Sequence, residues 1–123
     1  MTVSVENPFG KSWVYDVDMS EYVDVQAHRG GAGLMPENTI EAMKHALDMG
    51  VNTLELDLQV SKDGLVVVSH DPYFHYRYAI RPDGSYVEKD DPKEYIYTMP
   101  YSVVAKYDVG SRESEVWPGK ACI

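Results

Sequence analysis

The spacing of apolar positions changes repeatedly along this chain, and each change marks an element. Residues 1–22 hold no sustained period and read as a lead-in segment. Val23 to His28 is short, β-branched and alternating, which is the pattern of a strand. Arg29-Gly30-Gly31-Ala32-Gly33 follows as a glycine-rich loop, and Pro36-Glu37-Asn38 leads into a helix. Asn38 is the expected N-cap, with Glu41 three residues later as in a capping box. Ile40, Met43 and Leu47 fall on one stripe with Ala46 beside it, and Gly50 is a natural stop. From Val51 to Val60 the period drops to two. Leu54, Leu56, Leu58 and Val60 point one way, and Glu55, Asp57 and Gln59 the other. Lys62-Asp63-Gly64 reads as a turn, with Leu65 to His70 as the return strand.

Strand, helix and strand in this order make a βα unit of a parallel sheet. The remainder is rich in tyrosine, proline and charge. Pro82-Asp83-Gly84 is a second turn, Val87 to Glu94 is polar and acidic, and Pro100 to Tyr107 reads as a short helix ending before Gly110. Tyr73, Phe74, Tyr76, Tyr78, Tyr86, Tyr95, Tyr97 and Tyr101 are expected to build a small satellite core. The competing reading is an aromatic wall for the organic part of a substrate. His45 is expected to face solvent, and His75 has no partner pattern.

Composition narrows the classes. A chain of 123 residues has room for one small domain. Its net charge of −9, without a lysine–arginine cluster, argues against a nucleic-acid partner. An anionic substrate then calls for a bound cation to reverse the local field. Cys122 is the only cysteine, which excludes an internal disulfide and multi-cysteine metal sites. No apolar run is long enough to span a bilayer. Met1 to Phe9 lacks a leader pattern, so the cytoplasm is the expected compartment, with the periplasm or exterior open if the N-terminus is truncated.

The candidate chemistry lies on the second strand. Glu55 and Asp57 share one face with Cα atoms about 7 Å apart, so both carboxylates can reach one hard divalent cation. Ordinary solvent-facing acids would give the same spacing. With Asp63 and Gly64 as a two-residue loop, Asp57 would pair with His70 and bring that imidazole onto the carboxylate face. A one-residue change in the loop would break the pairing. His28 ends the first strand, the position where chemistry sits in parallel α/β folds. Arg29 offers a planar fork for phosphate, or an ordinary surface ion pair. The glycine run matches neither a P-loop nor a dinucleotide fingerprint.

Five motifs follow in order: Gln26-Ala27-His28-Arg29-Gly30-Gly31, Pro36-Glu37-Asn38-Thr39, Glu55-Leu56-Asp57, Lys62-Asp63-Gly64 and His70-Asp71. Over residues 25–71 the chain resembles the glycerophosphodiester phosphodiesterases, with a weaker likeness to Asp108-Val109-Gly110-Ser111. The resemblance implies an α/β fold, the N-terminal part of a TIM (β/α)8 barrel of the phospholipase-C-like phosphodiesterase type. A small insertion, residues 71–107, follows the second strand within a partial domain of residues 23–123. It implies hydrolysis of glycerophosphodiesters to glycerol 3-phosphate and an alcohol, with Ca²⁺ or Mg²⁺. Glu55 and Asp57 would be metal ligands, His28 and His70 the acid–base pair, and Arg29 and Asn38 substrate-binding residues. His70 touching the metal is the variant of that assignment.

A complete barrel takes about 250 residues, and no residue here matches the family's later Glu-x-Lys segment. An incomplete, self-associating chain with little turnover and bare apolar faces, such as Leu54 and Leu56, is therefore expected. The other readings are a phosphatidylinositol-specific phospholipase C-like or sphingomyelinase D-like enzyme, and a non-catalytic remnant.

Overall fold

A computed structural model describes residues 23–112, together with the backbone of two earlier strands. Those strands, β1 (Thr2–Glu6) and β2 (Ser12–Asp16), form an antiparallel hairpin in which Val3 faces Tyr15 and Val5 faces Trp13. The lead-in thus contains an ordered ribbon. Its alternation lasts only five residues per strand, too short to stand out as a period.

The βα unit forms as the sequence pattern predicts, but its strands are short. β3 (Gln26–Ala27) pairs in parallel with β4 (Thr53–Leu54) across helix α1 (Ile40–Asp48). Backbone bonds extend the ladder on both sides: Thr53 N donates to Val25 O, Glu55 N to Ala27 O, and Gly30 N to Glu55 O. The single strand expected over 51–60 divides at Glu55-Leu56-Asp57. Its second half, β5 (Leu58–Val60), pairs antiparallel with β6 (Val66–Val68). The period-two alternation survives the break. Glu55, Asp57 and Gln59 are half-buried, whereas Leu56, Leu58 and Val60 are exposed by 38%, 58% and 52%. Leu54, also expected on the bare face, is half-buried. Acids therefore point inward and aliphatics outward, the reverse of an ordinary amphipathic strand.

Two local expectations are corrected. The N-cap of α1 is Thr39, not Asn38: Thr39 Oγ1 accepts from Ala42 N at 3.2 Å and donates to Pro36 O at 2.7 Å. Asn38 instead takes a left-handed turn at φ 58°, a conformation asparagine tolerates better than most residues. Helix α1 buries Ala42 and Ala46, while Ile40 and Leu47 of the anticipated stripe are exposed. Gly50, at φ 81°, ends the helix as anticipated.

The second correction is the hairpin register. Leu58 faces Val68 and Val60 faces Val66, so the loop has three residues, Lys62-Asp63-Gly64, rather than two. Ser61 explains the difference. Its buried hydroxyl accepts from Leu65 N at 3.1 Å and donates to Asp63 Oδ1 at 2.6 Å, closing the loop around one extra residue. Gly64 supplies the positive φ, 83°, that this longer turn needs. Asp57 then lies opposite Ser69, whose N–H donates to Asp57 O at 3.0 Å, and His70 falls one position further on.

The densest packing lies in the insertion. Phe74, Ala79, Val87, Ile96 and Val104 form a buried cluster, joined by Tyr76, Tyr78, Met99, Tyr107 and Val109. Of the aromatics expected to build a satellite core, Phe74, Tyr76 and Tyr78 join it, whereas Tyr86, Tyr97 and Tyr101 are exposed. The short helix α2 (Tyr101–Val104) contributes Val104 to it. Arg81 clamps the connecting loops, with Nε on Glu94 and Nη2 on Asp91, both at 2.7 Å, and Nη1 on Tyr86 O at 2.8 Å. Burial, and then its bond to Glu94, pushes the Tyr107 phenol up to about 12. The insertion docks on the hairpin through Asp63, whose Oδ1 also accepts from Tyr101 N at 2.9 Å. Among the described residues no closed barrel forms.

Candidate active site

The site grows from an unusual stretch of backbone. Arg29, Gly30 and Gly31 all take positive φ, at 51°, 74° and 105°, and turn the chain sharply as it leaves β3. Asn38 at φ 58° is the other described non-glycine residue in that region, and its N–H donates to Arg29 O at 2.8 Å. Left-handed conformations in non-glycine residues are held only where surrounding contacts enforce them, and they gather at functional sites. Here the enforcing contacts are backbone bonds from Asn38 and from β4.

Those contacts draw the acids to one arginine. Arg29 N donates to Glu55 Oε2 at 2.8 Å. Its Nη1 lies 3.2 Å from both Glu37 oxygens, and its Nε is 3.7 Å from Asp57 Oδ2. Asn38 Nδ2 reaches the same Asp57 oxygen at 3.5 Å. Glu55, Asp57, Arg29 and Asn38 therefore do come together. Glu37 joins them, although the sequence singled it out only as part of a motif.

Two polar atoms in this knot are buried without a hydrogen-bond partner, Arg29 Nε and Asn38 Oδ1. Buried orphans of this kind call for a ligand, an ion or a water. The orphaned Asn38 amide oxygen, on a side chain whose Nδ2 reaches Asp57, is of the oxygen type that a hard divalent cation takes. A buried guanidinium N–H is a donor for an anionic oxygen. No group of three or more histidine, cysteine, aspartate or glutamate side chains converges among the described residues. The oxygen donors nearest Arg29 from the second strand are the carboxylates of Glu55 and Asp57.

The histidines stand apart from this knot. His28 follows β3 directly and is exposed; its carbonyl accepts from Gly31 N and Ala32 N, both at 2.9 Å. His70 is also exposed, with Nδ1 3.3 Å from Asp71 Oδ1. Among the described residues no hydrogen bond or ion pair joins His70 to Asp57, so the pairing expected from a two-residue loop does not form.

A third imidazole lies nearby. His75 accepts from Arg77 N at 3.1 Å and stacks on Tyr76 at 4.4 Å, and burial holds its pKa below the usual histidine value. It lines a polar cleft together with Arg29, Glu37, Asp71, Arg77 and Tyr78. Burial raises the Tyr78 phenol well above its ordinary range. No spacing rule could have found His75, because the insertion folds it back from a separate segment. His45 is exposed, as expected.

The guanidinium of Arg29 thus lies among the carboxylates of Glu37 and Asp57, on the loop leaving a parallel strand. Comparison with known proteins identifies the family. Residues 28–123 match the Glycerophosphoryl diester phosphodiesterase family, and the chain belongs to that family. It is 53% identical over 47 residues to a glycerophosphodiester phosphodiesterase of Caldanaerobacter subterraneus subsp. tengcongensis, covering 38% of this chain and 19% of that protein. It is 56% identical over 45 residues to the human (Homo sapiens) lysophospholipase D GDPD1, covering 37% and 14%. A solved glycerophosphodiester phosphodiesterase from Agrobacterium tumefaciens superposes with a TM-score of 0.58 at 27% identity, over 72% of this chain and 34% of that one. A solved Silicibacter pomeroyi structure carrying the family name gives 0.67 at 32%, over 72% and 29%. The matches thus span about a fifth or less of these curated relatives and about a third of the solved ones. The solved neighbours are TIM-barrel proteins, and the described residues are consistent with part of such a barrel. No helix among the described residues is long and apolar enough to cross a membrane.

Proposed function

We propose that this chain serves the metal-dependent hydrolysis of glycerophosphodiesters to glycerol 3-phosphate and an alcohol. The observation that carries this reading is the knot of Arg29, Asn38, Glu55 and Asp57, with its two buried orphan atoms, inside the family match. Ca²⁺ or Mg²⁺ held by Glu55 and Asp57 would supply positive charge to the phosphoryl oxygens. Arg29 binds the phosphate through its guanidinium, whose Nε has no hydrogen-bond partner and lies 3.7 Å from Asp57 Oδ2, while Glu37 holds Nη1 in place. The Asn38 amide orients Asp57. His28 and His70 form the acid–base pair, each imidazole able to take up or give a proton. One takes the proton of the substrate's own glycerol hydroxyl as it attacks phosphorus, the other gives a proton to the leaving alkoxide, and water then opens the cyclic phosphate to glycerol 3-phosphate. Both imidazoles are exposed.

The test follows product identity by ³¹P NMR. The 123-residue chain with glycerophosphocholine and Ca²⁺ or Mg²⁺ should release glycerol 3-phosphate, slowly, with release lost on chelation and in His28→Ala. Phosphocholine as the product would favour a phospholipase C-like reaction, and a persistent cyclic phosphate a sphingomyelinase D-like lyase. Cation binding without any product would favour a non-catalytic remnant. Each of these three outcomes overturns the proposal.

A further inference from the structure

The insertion returns to Arg29 an imidazole that none of the five sequence motifs contains. His75 lines a cleft of about 120 Å³ shared with Arg29, Glu37, Asp71, Arg77 and Tyr78. Its hydrogen bonding fixes its tautomer. Nδ1 accepts the backbone N–H of Arg77 at 3.1 Å. A main-chain N–H can only donate, so Nδ1 carries no proton and the neutral imidazole is protonated at Nε2. Stacking holds the ring plane, on Tyr76 at 4.4 Å and on Tyr78 at 5.7 Å between centroids. Nε2–H is therefore a donor held in one plane, and no residue accepts from it among those described.

The balance of donors and acceptors decides what the cleft takes. Both of its carboxylates are engaged. Glu37 holds Arg29 Nη1, and Asp71 lies 3.3 Å from His70 Nδ1. The groups left over are donors: the His75 Nε2–H, the Tyr78 phenol and the exposed Arg77 guanidinium. Burial favours the neutral forms of His75 and Tyr78, so both keep a proton to donate without adding charge. An apolar group would leave these donors without partners, which is costly. An anionic oxygen satisfies them, and bonds to a charged acceptor are the strong ones. Size agrees. An apolar cavity of about 150 Å³ in another protein holds one benzene, so this smaller cleft has room for about five heavy atoms, one phosphoryl group.

We infer that His75 is a further substrate-binding residue, donating its Nε2–H to a non-bridging oxygen of the phosphodiester that Arg29 holds. The insertion thereby closes the phosphate site from the side opposite the Arg29 loop. The inference rests on the phosphodiesterase reading of Arg29 and adds a residue to it. Losing one hydrogen bond to a charged oxygen should weaken phosphate binding about tenfold.

The experiment titrates glycerol 3-phosphate into the 123-residue chain in the presence of Ca²⁺, with glycerol as the reference. Long-range ¹H–¹⁵N spectra of the imidazoles report the tautomer. His75 should be protonated at Nε2 in the free chain, and that nitrogen should shift with glycerol 3-phosphate but not with glycerol. Two variants separate binding from folding. His75→Asn keeps an acceptor near the place of Nδ1 and removes the cleft donor. It should bind glycerol 3-phosphate about tenfold more weakly by calorimetry, with an unchanged melting temperature. His75→Gln gives up that acceptor but carries an amide N–H near the place of Nε2, and should recover most of the affinity. Wild-type affinity in His75→Asn would overturn the inference. So would a His75→Gln as weak as His75→Asn, a His75 resonance untouched by glycerol 3-phosphate, or a wild-type chain that does not bind it. Failure of the phosphodiesterase reading shows separately, as His75-dependent binding by a chain that releases no glycerol 3-phosphate from glycerophosphocholine.

Discussion

Gly30 offers the sharpest test of how the site is built, because two separable costs meet at one residue. It is buried at φ 74°, and a β-carbon there would stand 2.8 Å from Met43 Cγ, 3.5 Å from Met43 N and 3.6 Å from Ala42 Cβ. The left-handed backbone costs an L-residue about 1–2 kcal/mol. Crowding against the half-buried Met43 side chain costs about 1–3 kcal/mol more. Gly30→Ala should therefore destabilise by about 2–5 kcal/mol, the sum of these two effects. Its neighbours separate the contributions. Gly31, at φ 105°, has nothing nearer than Ala46 Cβ at 3.9 Å, so Gly31→Ala carries backbone strain alone, about 1–3 kcal/mol. Gly33 has open space and no positive φ, so Gly33→Ala should be neutral or stabilising by about 0.4–1 kcal/mol. Urea unfolding followed by circular dichroism measures all three. Met43→Ala should cost less in the Gly30→Ala background than in wild type, because the shared clash disappears. Equal effects of Gly30→Ala and Gly33→Ala would refute the packing of the Arg29 loop against α1.

Other outcomes follow from the same geometry. Thr39→Ala should lower stability by about 1 kcal/mol while Thr39→Ser stays near wild type, as read by thermal melts; equal losses would count against the cap. Asp91 is held below the usual carboxylate range by its bond to Arg81 and then by Glu88 N. A carboxyl depressed on folding stabilises above its unfolded value and loses that contribution as pH falls through the folded one. Melting temperature should therefore drop below about pH 4, and less steeply in Asp91→Asn; parallel pH profiles would contradict the Arg81 clamp. Leu58, Val60, Val66 and Val68 leave an apolar face exposed, so sedimentation should show concentration-dependent association that Val66→Lys weakens. A strictly monomeric wild-type chain at high concentration would argue otherwise.

Much of this site was legible in the sequence, and the failures have local causes. Glu55 and Asp57 were visible because period two survives even where the strand breaks between β4 and β5. Arg29 was visible because two glycines follow it, in a run of three residues of positive φ. The position of His70 was misjudged because Asp63-Gly64 is a strong two-residue signal, while the competing Ser61 hydroxyl reveals itself only once the loop is closed. Asn38 looked like the cap because both it and Thr39 can cap a helix, and only the left-handed turn at Asn38 decides between them. Glu37 was underestimated, since nothing in a linear motif says that it faces Arg29. The β1–β2 hairpin was missed because five alternating residues carry little weight on their own.

The central claim is that Arg29, Asn38, Glu55 and Asp57 form one site for a divalent cation and a phosphate. Calorimetric titration of Ca²⁺ and Mg²⁺ into the full chain, with and without glycerol 3-phosphate, tests it most directly. The account expects saturable binding to one site, lost in Asp57→Asn and tightened by glycerol 3-phosphate in wild type but not in Arg29→Ala. Titrations indistinguishable between wild type and Asp57→Asn, or untouched by glycerol 3-phosphate, would contradict it.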